Sequence, residues 1–208
     1  MMMGARALIA PCFAGPSNAT DEIHPVGTNT YQKVTGNDSG DDQQHWNSVF
    51  NTRAYVYGRE PAAFLQDHVS LLSVGSALDI ATGEGRNAVY LAKKGFQVDA
   101  VDFSAVALRK AKRLAHENHV FIHTINADLT HYTIPTEKYE VIVDIDYLQL
   151  SLIPQIKRGL KKGGIVVFEN GELKPGELRD LFRDFKILVY RESPSRKGSR
   201  ESLIARKP

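Results

Sequence analysis

Between Ala77 and Ala88 the chain reads Ala-Leu-Asp-Ile-Ala-Thr-Gly-Glu-Gly-Arg-Asn-Ala: an apolar run ending on a carboxylate, a turn of small residues, then the start of a helix. That order commits this part of the chain to a strand, turn and helix able to cradle a nucleotide. Gly83 and Gly85 lack a Cβ, so the turn can adopt positive φ angles. A ligand can then lie against bare backbone, facing the N–H groups that open the helix.

Two cofactor classes use such a turn. Gly83-x-Gly85-x-x-Ala88 with Asp102 downstream fits the dinucleotide fingerprint, whose third position tolerates alanine, so the glycines alone decide little. Asp79 discriminates better. At the end of the strand its carboxylate would meet a pyrophosphate at short range and repel it, whereas a cation would be attracted. S-adenosylmethionine (SAM) brings a sulfonium and an α-ammonium and no phosphate, so an acidic strand end before a glycine turn favours SAM over NAD.

A chain of 208 residues, 42% hydrophobic and 24% charged, suits one α/β domain with a tail and leaves no room for a separate substrate domain. With a net charge of +2 and dispersed basic residues, no nucleic-acid footprint stands out. The single cysteine, Cys12, excludes an internal disulfide framework and points to a reducing, cytoplasmic setting. Residues 1–42 read as a flexible tail. Ala7 to Ala14 is weakly apolar but interrupted by Pro11, a poor signal peptide, and the stretch from Gly15 is rich in small and polar residues.

The domain is expected over 43–208. Trp46, Phe50, Arg53 and Tyr57 recur at helical spacing, which predicts one face of a helix: core packing for the first two, and for Arg53 and Tyr57 either the same or a lid over cofactor or substrate. A second helix spans Ala62 to Leu72. From residue 77 strand and helix alternate, predicting a Rossmann-like, doubly wound sheet of about seven strands, mostly parallel, with helices on both faces. The strands end at Asp79, Asp102, Asp128 and Asp144, and ligands in such sheets bind beyond the carboxyl ends. Asp102 is placed to accept the ribose hydroxyls, Asp128 to accept from the adenine amino group, and Phe103 and Leu129 to sandwich the ring. Ser104 precedes the helix from Ala105 to Asn118 as its cap. Lys161-Lys162-Gly163-Gly164 reads as a turn into strand five, Ile165 to Glu169. Ile187 to Arg191 and Ser202 to Arg206 read as a terminal antiparallel hairpin around a polar turn, Ser193 to Arg200.

These residues resemble class I SAM-dependent methyltransferases, and among them the tellurite-resistance protein B group, from about Trp46 to Lys207. The likeness rests on Tyr55-Val56-Tyr57-Gly58-Arg59-Glu60-Pro61, on Leu78-Asp79 with Gly83-Glu84-Gly85-Arg86-Asn87, on Tyr90-Leu91-Ala92 with Gly95, on Val98 to Asp102, and on Gly176-Glu177-Leu178. The first turn position, usually glycine, is Ala81, and Thr82 stands where cysteine is frequent. The resemblance implies that Asp79, Ala81, Gly83 and Gly85 surround the methionine part, Asp102 and Phe103 the ribose and adenine, Asp128 and Leu129 the adenine edge, with Asp144 at the mouth of strand four. Thr82, Asn87 and Ser104 complete the expected cofactor set, and Tyr147 joins Arg53 and Tyr57 as substrate or lid candidates. The segment Glu169 to Pro175 is shorter than the family's substrate-covering loop, so the acceptor does not carry over.

Methyl transfer is an in-line displacement on an activated sulfonium and needs alignment more than a base. The sequence offers no convincing catalytic residue, which favours a small-molecule acceptor, soft or already anionic, such as a thiol, selenite or tellurite. His116, His119 and His123 should diverge between helix and strand, so no metal site is expected. No membrane or nucleic-acid partner is expected either, although the basic turn Arg196 to Arg200 leaves RNA as a minor reading. A SAM-binding module without transferase activity and an NAD-linked oxidoreductase are the alternatives.

Overall fold

The computed structural model describes residues 39–208. Its elements are α1 (Ser39–Phe50), α2 (Ala63–His68), β1 (Ser76–Ile80), α3 (Arg86–Lys93), β2 (Gln97–Asp102), α4 (Ala105–Glu117), β3 (His123–Asn126), β4 (Tyr139–Ile145), α5 (Ile153–Gly159), β5 (Leu160–Leu173), α6 (Glu177–Leu181), β6 (Lys186–Ser195) and β7 (Gly198–Arg206). The strands form a seven-stranded sheet in the order β3-β2-β1-β4-β5-β7-β6. Every pair from β3 to β5 is parallel, and β7 pairs antiparallel with both β5 and β6. This is the expected doubly wound sheet with a terminal hairpin, β7 inserted between β5 and β6.

Both faces of the central strands are buried, so they read as nearly continuous apolar runs. Ala77, Ala100, Val141 and Val143 pack with Leu65, Ala88, Leu91 and Leu114 of α2, α3 and α4. Leu78, Ile80, Ile142, Val166 and Phe168 pack with Ile153, Ile156, Leu178 and Phe182 around α5 and α6. The sheet order reverses between β1 and β2 on one side and β4 on the other, with β1 central. Its carboxyl end therefore opens between the ends of β2 and β4.

Several boundaries differ from expectation. Helix α1 begins at Ser39, inside the stretch read as tail; residues 1–38, with Cys12, lie outside the described residues. It ends at Phe50, so Arg53 and Tyr57 do not continue the Trp46–Phe50 face. The backbone beyond Phe50 is captured by tertiary bonds instead: the Lys110 Nζ donates to the carbonyls of Phe50 and Ala54, and the Glu84 carboxylate accepts the Val56 amide at 2.6 Å. The lysine and glycine run at 161–164 is a bulge within β5 rather than a turn. Tyr139 pairs with Leu160 and Val141 with Ile165, and a Cβ at Gly164 would stand 2.9 Å from the Lys161 carbonyl. The terminal strands are longer than read, because polar residues assigned to their turn are ladder residues with buried partners.

Candidate functional site

Three carboxylates stand at the carboxyl ends of the inner strands, and all are buried: Asp79 on β1, Asp102 on β2 and Asp144 on β4. The turn after β1 is set by three positive φ angles, 49° at Ala81, 55° at Gly83 and 86° at Gly85. Ala81 thus occupies a conformation that favours glycine, at the position where the family pattern usually has it. Gly85 must be glycine on two counts, since an added Cβ would also lie 2.7 Å from the Ala111 Cβ on α4.

Asp102 holds this turn from the neighbouring strand. Its Oδ2 accepts the Gly83 amide and its Oδ1 the Ser104 amide, each at 2.8 Å. Burial pushes its carboxyl up to about 6, against those amide donors. Asp79 accepts a 2.5 Å bond from the Thr82 hydroxyl. Burial pushes Asp79 up to about 7, opposed by that bond and by Arg86, and reinforced by Asp102. Asp144 is held well above the usual carboxylate range by burial and by the charges of Asp79 and Asp146, and its Oδ1 has no hydrogen-bond partner among the described residues.

Asp128 lies just past β3, half-buried. Burial opposes its ionisation, but bonds from the Thr130 amide and hydroxyl and from His131 prevail and hold it below its ordinary value. Leu129 is buried in the cluster against which Ala81, Ala127 and Tyr147 pack. The Phe103 carbonyl accepts from Asn126 Nδ2 at 2.8 Å and from Gln43 Nε2 of α1 at 2.7 Å. Two expected cofactor residues have their polar atoms engaged by the scaffold. The Ser104 Oγ caps α4 through the Ala107 amide and donates to Asn47 Oδ1, and Asn87 Oδ1 accepts the Ala62 amide at 2.9 Å. Arg53 lies exposed in the loop after α1, whereas Tyr57 packs edge-on against Phe50 with its ring centroid 6.2 Å away.

The sequence reading missed three features. Glu84, in the middle of the turn, is 4% exposed and ion-paired with Lys110 of α4 while its other oxygen holds the Val56 amide, so it clamps the 51–61 segment to the turn. Phe50, stacked on Trp46, lies over Gly83, 3.7 Å from where a Cβ would be. At the mouth of β4, Asp146 has φ 63° and its carboxylate stands between Arg86 of α3 at 3.4 Å and Arg200 of β7 at 3.1 Å; Arg200 also binds Glu169 at 2.6 Å. A buried glutamate within a glycine turn was a readable signal. Arg200 was not, because its partners lie 54 and 31 residues away. A separate cavity of about 240 Å³, lined by Arg59, Pro61, Tyr90, Lys93 and Asn118 among others, touches none of the strand-end carboxylates. Among the described residues no group of three or more His, Cys, Asp or Glu could hold a metal ion, and no helix is long and apolar enough to cross a membrane.

Residues 77–164 match the family model described as a methyltransferase domain, spanning the glycine turn and all three buried carboxylates. Two curated relatives are similar over part of their length. The ribosomal protein L11 methyltransferase of Campylobacter concisus is 29% identical over 126 residues, covering 57% of this chain and 43% of that protein. The tRNA (uracil(54)-C(5))-methyltransferase of Pyrococcus abyssi is 28% identical over 153 residues, 71% of this chain and 34% of that one. The chain thus spans less than half the length of these relatives. Among solved structures, the N-methyltransferase NodS of Bradyrhizobium japonicum with S-adenosylhomocysteine (SAH) superposes with a TM-score of 0.65 at 16% identity, covering 80% of this chain and 98% of that one. Sheet order is that of the class I SAM-dependent methyltransferase fold, and residues 77–164, which carry the strand-end acids, match the methyltransferase-domain model. Within that class the chain resembles TehB of Haemophilus influenzae, at a TM-score of 0.64 and 19% identity over 80% of this chain and 67% of that one.

Proposed function

We propose that the protein is an enzyme that transfers a methyl group from SAM to a small-molecule acceptor, in the cytoplasm. The observation that carries the cofactor reading is the set of buried carboxylates at the carboxyl ends of β1, β2 and β4. They stand beside the glycine turn as buried acids that a positively charged group can draw into the ionised form, which suits a ligand that is cationic and lacks phosphate. NAD, with its pyrophosphate, is the poorer match. The residues fit SAM: Asp144 keeps a buried oxygen with no partner among the described residues, Gly83 and Gly85 leave the turn bare, and Asp102 retains lone pairs beyond the two amides it accepts.

In this reading Asp102 orients the ribose, Phe103 and Leu129 flank the adenine with Asp128 at its edge, and Asp79, Ala81, Thr82, Gly83, Gly85 and Asp144 line the methionine part. Asn87 and Ser104 act through the turn and α4, which they fix. Bound SAM supplies a methyl group on a sulfonium, so the protein's task is to align the acceptor and exclude water. Tyr57, on the segment clamped by Glu84, and Phe50, at the end of α1, are positioned to do the excluding. Among the described residues no side chain at the mouth of β4 is a ready base: Asp146 is engaged by two arginines, and burial with the charges of Asp144 and other acids raises the Tyr147 phenol. That favours an acceptor needing none, such as a thiolate, selenite or tellurite. The curated relatives named for ribosomal protein L11 and tRNA support a second reading, a macromolecular acceptor.

Parallel calorimetric titrations with SAM, SAH and NAD test the cofactor. Micromolar binding of both adenosyl ligands and none of NAD is expected, and binding of NAD alone overturns the reading. Transfer of labelled methyl is then compared across thiols, selenite, tellurite, total tRNA and ribosomal protein. Turnover on the small molecules supports the first reading, and turnover on RNA or protein alone replaces it with the second.

A further inference from the structure

Among the described residues Asp144 differs from Asp79 and Asp102 in keeping one buried carboxylate oxygen, Oδ1, with no hydrogen-bond partner. It is 1% exposed, its Oδ1 receives no hydrogen bond from the described residues, and Ile80 of β1 and Phe168 of β5 flank it in the sheet. The groups that face it are mostly acids or committed elsewhere. Asp79 on β1 and Asp146 on its own strand end both oppose its ionisation. Arg86 from α3 is drawn to Asp146 and acts on Asp79; Arg200 from β7 is bound to Asp146 and Glu169. The Tyr147 phenol feels Asp144 together with Asp128 and Asp102, and the Thr82 hydroxyl is bonded to Asp79. A carboxylate so placed, buried among like charges with no donor to its Oδ1 among the described residues, takes up a proton instead of remaining ionised.

Resting on the cofactor reading above, we propose that Asp144 carries a proton in the ligand-free protein and releases it when the α-ammonium of an adenosyl ligand's amino-acid end binds beside it, so that cofactor binding is coupled to proton release. The proton leaves to solvent, and the carboxylate it leaves gains the counter-charge that no side chain supplies. Occupancy then depends on pH in a definite direction. Below the titration of Asp144, each unit fall in pH weakens binding, approaching tenfold per unit.

The test is the binding enthalpy of SAH to the full chain at pH 8, above the titration of Asp79, measured in phosphate and in Tris, whose ionisation enthalpies differ widely. The expected result is a buffer-dependent enthalpy equivalent to close to one proton released, with SAH affinity rising from pH 6 to pH 8. 5′-Methylthioadenosine, which keeps the adenosyl group and lacks the amino-acid end, should bind without that release. Asp144→Asn is close in shape and should bind SAH more weakly with no proton coupling. SAH binding without proton release in the wild-type protein overturns the proposal and leaves the cofactor reading intact. Release that survives in Asp144→Asn, or that methylthioadenosine also provokes, overturns it as well. No binding of SAM or SAH at any pH overturns both. Because the wild-type measurement stands by itself, the proposal is decided even if the variant fails to fold.

Discussion

The Asp102 carboxylate accepts the Gly83 amide at 2.8 Å, so the end of β2 fixes the conformation of the turn that follows β1. Cofactor contact and turn geometry therefore reside in one side chain. Asp102→Ala is expected to weaken SAH binding by at least about 100-fold, since it removes a charge-assisted acceptor and loosens the turn together. Asp102→Asn keeps the shape and one acceptor oxygen, and should lose about tenfold. Calorimetry with SAH on both variants checks the ranking; equal affinities in the two and in the wild type remove Asp102 from the site.

Gly85→Ala should destabilise the fold for two separable reasons. The residue adopts φ 86°, and the new methyl would sit 2.7 Å from the Ala111 Cβ. The first costs about 1 kcal/mol and the second, between two rigid backbones, about 1–3 kcal/mol more. Adding Ala111→Gly removes the 2.7 Å contact, leaving the Ala111 Cα at 3.0 Å and the φ cost, and is compared with Ala111→Gly alone, since a glycine inside α4 itself costs about 1 kcal/mol. Chemical denaturation of the single and double variants should show partial recovery; full recovery, or none, contradicts this division.

How far the sequence reached follows from the range of the interactions involved. The strand ends, the glycine turn and the cap at Ser104 are local: a period, a spacing and a side chain three residues from its amide, with Ala107 N at 3.2 Å from Ser104 Oγ. They were legible. The end of α1 was not, because the Phe50 carbonyl there is taken by Lys110, 60 residues away. The polar stretch 193–200 reads as a turn by composition, yet Arg200 leaves β7 for Asp146 and Glu169, and Glu201, fully buried, accepts the Glu177 and Leu178 amides that open α6. Polar residues serving buried partners are indistinguishable by composition from polar residues facing water.

The Glu84–Lys110 pair tests whether the segment over the turn depends on one buried contact. Glu84 is 2% exposed at its side chain and Lys110 15%, and the glutamate also anchors Val56. Lys110→Met leaves a buried carboxylate unpaired, and about 3–4 kcal/mol of stability should be lost. Changing both together, Glu84→Gln with Lys110→Met, should lose clearly less than the sum of the two single changes. Limited proteolysis should then find residues 51–61 cut faster than in the wild type. Strict additivity of the two changes means the pair is not coupled.

The acidic strand ends also set how stability responds to pH, in a direction opposite to that of an ordinary salt-bridged carboxylate. Asp79 titrates near 7 when folded, against about 3.9 in an unfolded chain. The folded state therefore holds this proton more tightly than the unfolded one. Its contribution to stability is full below about pH 4 and is lost progressively as pH rises to about 7. Asp79→Asn cannot lose a proton, so it should be close to wild type at pH 5 and more stable than wild type at pH 8, by on the order of 2 kcal/mol or about 5 °C in Tm. The gain comes at the expense of the site, because the same change removes a negative charge from beside the glycine turn and should weaken SAM binding at pH 8 by tenfold or more. Thermal unfolding of both proteins from pH 5 to pH 8, with and without SAH, checks the two effects separately. Parallel stability curves for wild type and variant across that range mean that Asp79 is ionised throughout, and that a cation or donor offsets it more fully than Thr82 and Arg86 do.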